Sequence, residues 1–129
     1  MATVRDVMTS ELVTIEPSET VAQAATKMGR SLTGSALVMA DGELAGIFTE
    51  RDIVKALASD FDAAGHPVSQ WMTADPVTVD ASIDAGEALQ WMLAHGFRHF
   101  PVVNGGNLVG IVSLRDLSRA VAEQERPGP

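Results

Sequence analysis

A chain of 129 residues, 46% hydrophobic and 20% charged, has the composition of one compact globular domain rather than of a disordered segment. Its formal charge of -8 argues against sequence-independent binding to DNA, RNA or anionic membranes, which rests on clustered Lys and Arg, yet leaves room for one small anion in a local basic pocket. Cysteine is absent, which removes disulfides, thiolate metal sites and thiol nucleophiles, and without a basic leader or an apolar run of bilayer length a cytoplasmic location is expected.

Taken in order, Val4 to Met8 reads as a short helical or extended lead-in, and Val13-Thr14-Ile15 as a short strand closed by the turn-prone Glu16-Pro17-Ser18. Ser18 is the expected N-cap of a helix with Val21, Ala24, Ala25 and Met28 at helical spacing, ending at Gly29. Ser35 to Met39 is an apolar run of strand length, Asp41-Gly42 a hairpin signal, and Leu44 to Phe48 the returning strand. Thr49 then caps a helix that carries Ile53, Val54 and Leu57 on one face. Ser59 to Pro67 is polar and without periodicity, and reads as a linker.

The run Gly46-Ile47-Phe48-Thr49-Glu50-Arg51-Asp52 returns 64 residues later, without a gap, as Gly110-Ile111-Val112-Ser113-Leu114-Arg115-Asp116. The same offset lays Met8-Thr9 on Met72-Thr73, Val13-Thr14 on Val77-Thr78, Ser18 on Ser82 and Met28 on Met92. The chain is therefore two copies of one unit, 4–60 and 68–124, joined by a linker at 61–67 and followed by a frayed tail at 125–129. The second copy predicts a strand near Val77 to Val79, a helix from Ser82 to Ala94, strands from His99 to Val103 and Leu108 to Val112 around Asn104-Gly105-Gly106, and a helix from Ser113 to about Glu123. The fold class is α/β (α+β), each copy a βαββα unit with helices on one side of a small sheet. Two copies are too few for an open solenoid and are expected to close face to face on a shared core. Helix faces near Met28, Trp91, Met92 and Leu117 are left over for a homodimer, the methionines and Trp91 at helical spacing being core or dimer contacts.

Two readings compete for Thr49-Glu50-Arg51-Asp52. As a capping box, Thr49 accepts from the amide three residues on and Asp52 reaches back to the Thr49 amide. As a ligand site, the helix N-terminus attracts a phosphate while Asp52 accepts from two vicinal hydroxyls, such as those of a ribose. Ser113 and Asp116 keep the same spacing. Gly46 and Gly110, inside apolar strands, favour the second reading, because a glycine there marks the close approach of a backbone or a ligand. His95 and His99 have a helical metal spacing, but Gly96 interrupts the helix and no carboxylate completes a set, so no metal site is expected. Ser35 and Ser113 lack His and acid partners, and neither a Walker loop nor a dinucleotide glycine pattern occurs, so no enzyme is expected.

The two Gly-Ile-x-Thr/Ser-x-Arg-Asp runs, each preceded by a Met-Thr, a Val-Thr strand and a hairpin, together with Arg98-His99-Phe100-Pro101-Val102-Val103, resemble cystathionine-beta-synthase (CBS) domains. The tandem pair is similar to a Bateman module over about Val4 to Val121. The resemblance implies a pseudo-twofold pair with two composite clefts that bind an adenosine-containing ligand: AMP, ADP, ATP or S-adenosylmethionine. Carried onto this sequence, one cleft joins Ser113 and Asp116 to Thr9, Thr14, Gly34, Ser35 and Ala36. The other joins Thr49 and Asp52 to Thr73, Thr78, Arg98, His99 and Phe100, and is expected to prefer a phosphorylated ligand because Arg98 and His99 replace Gly34 and Ser35. The function so implied is a stand-alone, non-catalytic regulatory sensor, a homodimer with no required cofactor that passes ligand occupancy to a protein effector. The alternative is a ligand-independent dimerisation or interaction module, favoured by Gly34 in place of a basic residue.

Overall fold

In a computed structural model, which describes residues 2–125, the chain folds as two compact units that do not coincide with the two sequence copies. One unit is 12–76; the other combines 2–11 with 77–125. The elements are α1 (Val4–Val7), β1 (Thr14–Ile15), α2 (Val21–Ser31), β2 (Ser35–Ala40), β3 (Glu43–Thr49), α3 (Glu50–Ser59), β4 (Thr73–Ala74), β5 (Val79–Asp80), α4 (Ala85–His95), β6 (His99–Asn104), β7 (Asn107–Ser113) and α5 (Leu114–Glu125). The expected tail lies, from residue 126 on, outside the described residues.

In unit 12–76 the strand order is β1-β2-β3-β4: β1 is parallel to β2 across the α2 crossover, and β3 is antiparallel to both β2 and β4. The β2-β3 turn is made by Asp41 and Gly42 at φ 52° and 79°, the left-handed pair that a tight hairpin requires. Ile15, Val21, Ala24, Met28, Ala36, Val38, Phe48, Ala56, Ala63 and Val68 form the core. The second unit repeats the plan with β5-β6-β7 and the core residues Val4, Ala85, Ala88, Met92, Phe100, Val102, Val112 and Leu117.

Each sheet is completed by the Met-Thr segment that opens the other sequence copy. Thr73 pairs with Ile47 on β3, and Thr9 pairs with Ile111 on β7 through amide-to-carbonyl bonds of 2.9 and 3.0 Å. A Cβ on Gly46 would lie 2.6 Å from Met72 Sδ and 2.8 Å from the Thr73 carbonyl oxygen, and one on Gly110 2.5 Å from Met8 Sδ and 2.9 Å from the Thr9 oxygen. The two glycines therefore admit a neighbouring strand, and the ligand reading loses their support. Val68 and Val4, from the same segments, are fully buried in the two cores.

The stretch read as a linker is part of unit 12–76. Ala63, in a 3-10 turn spanning Ala63–Gly65, is fully buried in its core, and the His66 carbonyl accepts from the Val21 amide at 2.9 Å. Several helix expectations are corrected. The α2 N-cap is Thr20 rather than Ser18, because Thr20 and Gln23 bond reciprocally (3.1 and 2.8 Å). The α4 N-cap is Asp84, while Ser82 donates to Asp80 Oδ1 before the helix begins. Of the residues that helical spacing places in the core or in dimer contacts, Met28 and Met92 are core residues, as is Leu117. On α3 the buried positions are Asp52 and Ala56, and Val54 is 67% exposed.

α2 runs past Gly29 to Ser31 and ends with Leu32 in the left-handed conformation at φ 54°, 94% exposed. The corresponding residue after α4 is Gly96, at φ 72°. A side chain in this conformation costs about 1 kcal/mol or more that glycine avoids, and Leu32 recovers little by burial. Leu32→Gly is expected to raise stability by up to about 1 kcal/mol, read as a higher urea midpoint at unchanged slope. The exchanged segments give a second expectation: the fragment 12–76 keeps Val68, Met72 and Thr73, whereas 1–60, cut at the repeat boundary, loses them. Circular dichroism should show more helix and a more cooperative melt in 12–76 than in 1–60.

Candidate ligand-binding site

The candidate residues gather where β3 runs into α3 and where β7 runs into α5. In unit 12–76, Thr49 stands opposite Ser35, and the Gly34 carbonyl accepts from the Glu50 amide at 3.0 Å. Ser35 is buried, with its amide on Thr33 Oγ1 at 3.4 Å. Thr49 caps α3: its amide and hydroxyl donate to Asp52 Oδ2 at 2.9 and 3.2 Å, and its Oγ1 accepts from the Asp52 amide at 3.4 Å. The capping box read in the sequence is thus present, and Asp52, only 9% exposed, is held by it.

The other unit repeats the geometry with one difference. Ser113 stands opposite His99, and the Arg98 carbonyl accepts from the Leu114 amide at 2.8 Å. Ser113 Oγ accepts from the Asp116 amide at 3.1 Å. Among the described residues no return bond from Ser113 to the Asp116 carboxylate is formed. Asp116 is half-buried.

The remaining candidates lie on or beside the strands of the two sheets. Thr73 is exposed on β4, Thr9 is exposed beside β7, and Thr14 is exposed on β1 next to Leu37. Thr78 is exposed just before β5, Arg98 is exposed, and His99 is half-buried. Ala36 and Phe100 fill the two cores, opposite Phe48 and Val112, so only their backbone is left for a ligand. Thus Thr14, Gly34, Ser35, Ala36, Thr49, Asp52 and Thr73 belong to one unit, and Thr9, Thr78, Arg98, His99, Phe100, Ser113 and Asp116 to the other.

Glu50 is a further residue at the β3-α3 end. Its carboxylate lies over Gly34, where an added Cβ would be 3.4 Å from the carboxyl carbon. Residue type alone carries no sign of this, because the approach depends on strand register. Leu114 holds the equivalent place in the other unit. An open hollow of about 730 Å3 in unit 12–76 is lined by Thr14, Glu16, Glu19, Lys27, Asp41 and their neighbours, at the hairpin end of β3, away from Thr49. Its three carboxylates against one lysine make it a poor host for a phosphate.

Among the described residues no group of three or more His, Asp or Glu side chains is placed to hold a metal ion, and no helix is long and apolar enough to cross a membrane. His95 instead bonds the Trp91 carbonyl at 2.9 Å and stacks on Phe97.

Two mixed sheets, each ending in a hydroxyl-capped helix three residues before an Asp, define a CBS pair. The chain belongs to the CBS domain family, whose model matches residues 4–59 and 68–123. It is 34% identical over 128 residues to the CBS domain-containing protein YhcV of Bacillus subtilis (strain 168), covering 99% of this chain and 91% of that one. Its structure is similar to that of the CBS-domain containing protein ATU1752 from Agrobacterium tumefaciens, with a TM-score of 0.86 at 33% identity over 93% and 99% of the two chains. It is also similar to CBSX2 of Arabidopsis thaliana, crystallised in complex with AMP, with a TM-score of 0.80 at 27% identity over 98% and 100%.

The different ties of the two carboxylates predict different costs of removing them. Asp52→Ala and Thr49→Ala each break the α3 cap and should cost about 1 kcal/mol, whereas Asp116→Ala, which keeps the Ser113 cap, should stay within about 0.5 kcal/mol of the unaltered protein. Urea unfolding of the three variants measures this.

Proposed function

We propose that this chain is a regulatory module that binds an adenosine-containing ligand, with Asp52 and Asp116 as the carboxylates that grip ribose hydroxyls and Arg98 and His99 as partners for a phosphate. One observation carries the reading. Both units end a sheet strand in a hydroxyl-capped helix with a carboxylate at its third position, in a chain that shares its fold with an AMP-bound CBS pair. A carboxylate there can accept from two vicinal hydroxyls while the helix amides and dipole favour an anion alongside. Bound ligand biases the protein only by its differential affinity for the arrangements available, and that bias is the signal offered to a protein partner. The half-exposed or exposed Val54, Leu57, Phe61, Trp91 and Leu93 replace the buried methionines as the side chains that support a homodimer.

Isothermal titration and thermal shift with AMP, ADP, ATP and S-adenosylmethionine test the proposal. A ligand at 100 times its Kd should stabilise the protein by about 2.7 kcal/mol. Asp116→Ala should weaken AMP binding by about tenfold or more, since a hydrogen bond to a charged group is worth about 1.5 to 3 kcal/mol. If none of the four ligands shifts the melt, or AMP binds an Asp52→Ala/Asp116→Ala double variant unchanged, the ligand-independent interaction module takes its place.

A further inference from the structure

A carboxylate, an imidazole and an indole form a chain of contacts in unit 12–76. Asp60 closes α3; its Oδ1 accepts from the Asp62 amide at 2.8 Å, and its Oδ2 lies 3.4 Å from His66 Nε2. On the other side of the ring, Trp71 Nε1 donates to His66 Nδ1 at 3.4 Å, the two ring planes lying within 11° of parallel. An indole nitrogen only donates, so Nδ1 is the bare nitrogen and the proton of the neutral ring sits on Nε2, facing Asp60.

Protonation puts a second N–H at Nδ1, donor against donor, and at the same time adds charge facing Asp60. The imidazole therefore has two arrangements: neutral and joined to both neighbours, or charged and held by Asp60 alone. Asp62 donates its backbone amide to Asp60, and the Glu19 carboxylate, on the approach to α2, is taken up by Lys27 at 2.8 Å and the Glu16 amide at 2.6 Å.

We propose that His66 is a pH-responsive latch on the edge strand β4: neutral, it holds Trp71; protonated, it releases Trp71. The indole packs against the core and directly precedes Met72 and Thr73, the residues seated on Gly46, so its release loosens that seating. The other unit shows that the strand pairing itself does not need the trio. At the positions 64 residues away from His66, Trp71 and Asp60 stand Ala2, Val7 and Gln124, and Thr9 still pairs with Ile111. The polar chain is an addition to one unit rather than a requirement of the fold. The inference does not depend on a bound ligand.

Trp91→Phe leaves Trp71 as the sole indole of the two in the chain. Its emission should differ between pH 7.5 and 5.5, and the difference should vanish when His66→Gln is added, because the amide oxygen accepts from the indole at every pH. Hydrogen exchange at the Asp75 amide, bonded to the Ala45 carbonyl at 3.1 Å, reports the β3-β4 pairing. Corrected for intrinsic rates, its protection should fall about fivefold from pH 7.5 to 5.5 in the unaltered protein and not in His66→Gln. Should His66→Gln fail to fold, Trp71→Phe, which removes the donor, should lose the same pH dependence. A fluorescence difference that survives His66→Gln, or an Asp75 protection that is equal at both pH values in the unaltered protein, overturns the latch.

Discussion

At Gly46 and Gly110 a neighbouring backbone occupies the space a side chain would take. That single steric allowance lets Thr73 and Thr9 close the edges of their sheets, and it seats Met72 and Met8 against the strand below. Because each segment is continuous with a turn that carries a buried valine, the strand pairing and the core packing stand or fall together. A paired edge also removes unpaired backbone groups that would otherwise invite association. The unit of folding is thus offset from the unit of duplication.

The duplication, the hairpins and the order of elements were legible because they rest on local residue types: Asp41-Gly42, Gly105-Gly106 and the apolar runs between them. The offset was not, for a reason built into duplication itself. Met8 and Met72 are the same residue before the same threonine, and Gly46 and Gly110 offer the same vacancy, so pattern alone cannot say which Met-Thr seats on which glycine. The linker between the two matched stretches is itself structured. Residues 61–67 look aperiodic in isolation, yet they carry the chain back to the sheet it must complete, which draws Ala63 into the core.

The helix starts teach a different lesson. Ser18 and Ser82 are good caps by residue type, but Thr20-Val21-Ala22-Gln23 holds the full reciprocal signature, and two partners bonding each other outweigh one hydroxyl. That signal was in the sequence. Met28, Met92 and Leu117 lie on the buried stripes of their helices, each at most 2% exposed.

Capping and ligand binding are compatible roles for the motif carboxylates. Asp52 commits Oδ2 to Thr49 and leaves Oδ1 outside the cap, and a carboxylate has about four acceptor sites in all. The cap then fixes the side chain in advance, lowering the ordering entropy that a ligand would otherwise have to overcome. What the duplication has not preserved is the charge beside that carboxylate. The α3 end carries Glu50 over Gly34, and the α5 end carries Leu114 beside a strand that opens with Arg98 and His99. Two ends built on one plan thereby differ in the side chains beside the carboxylate, however alike their backbones are.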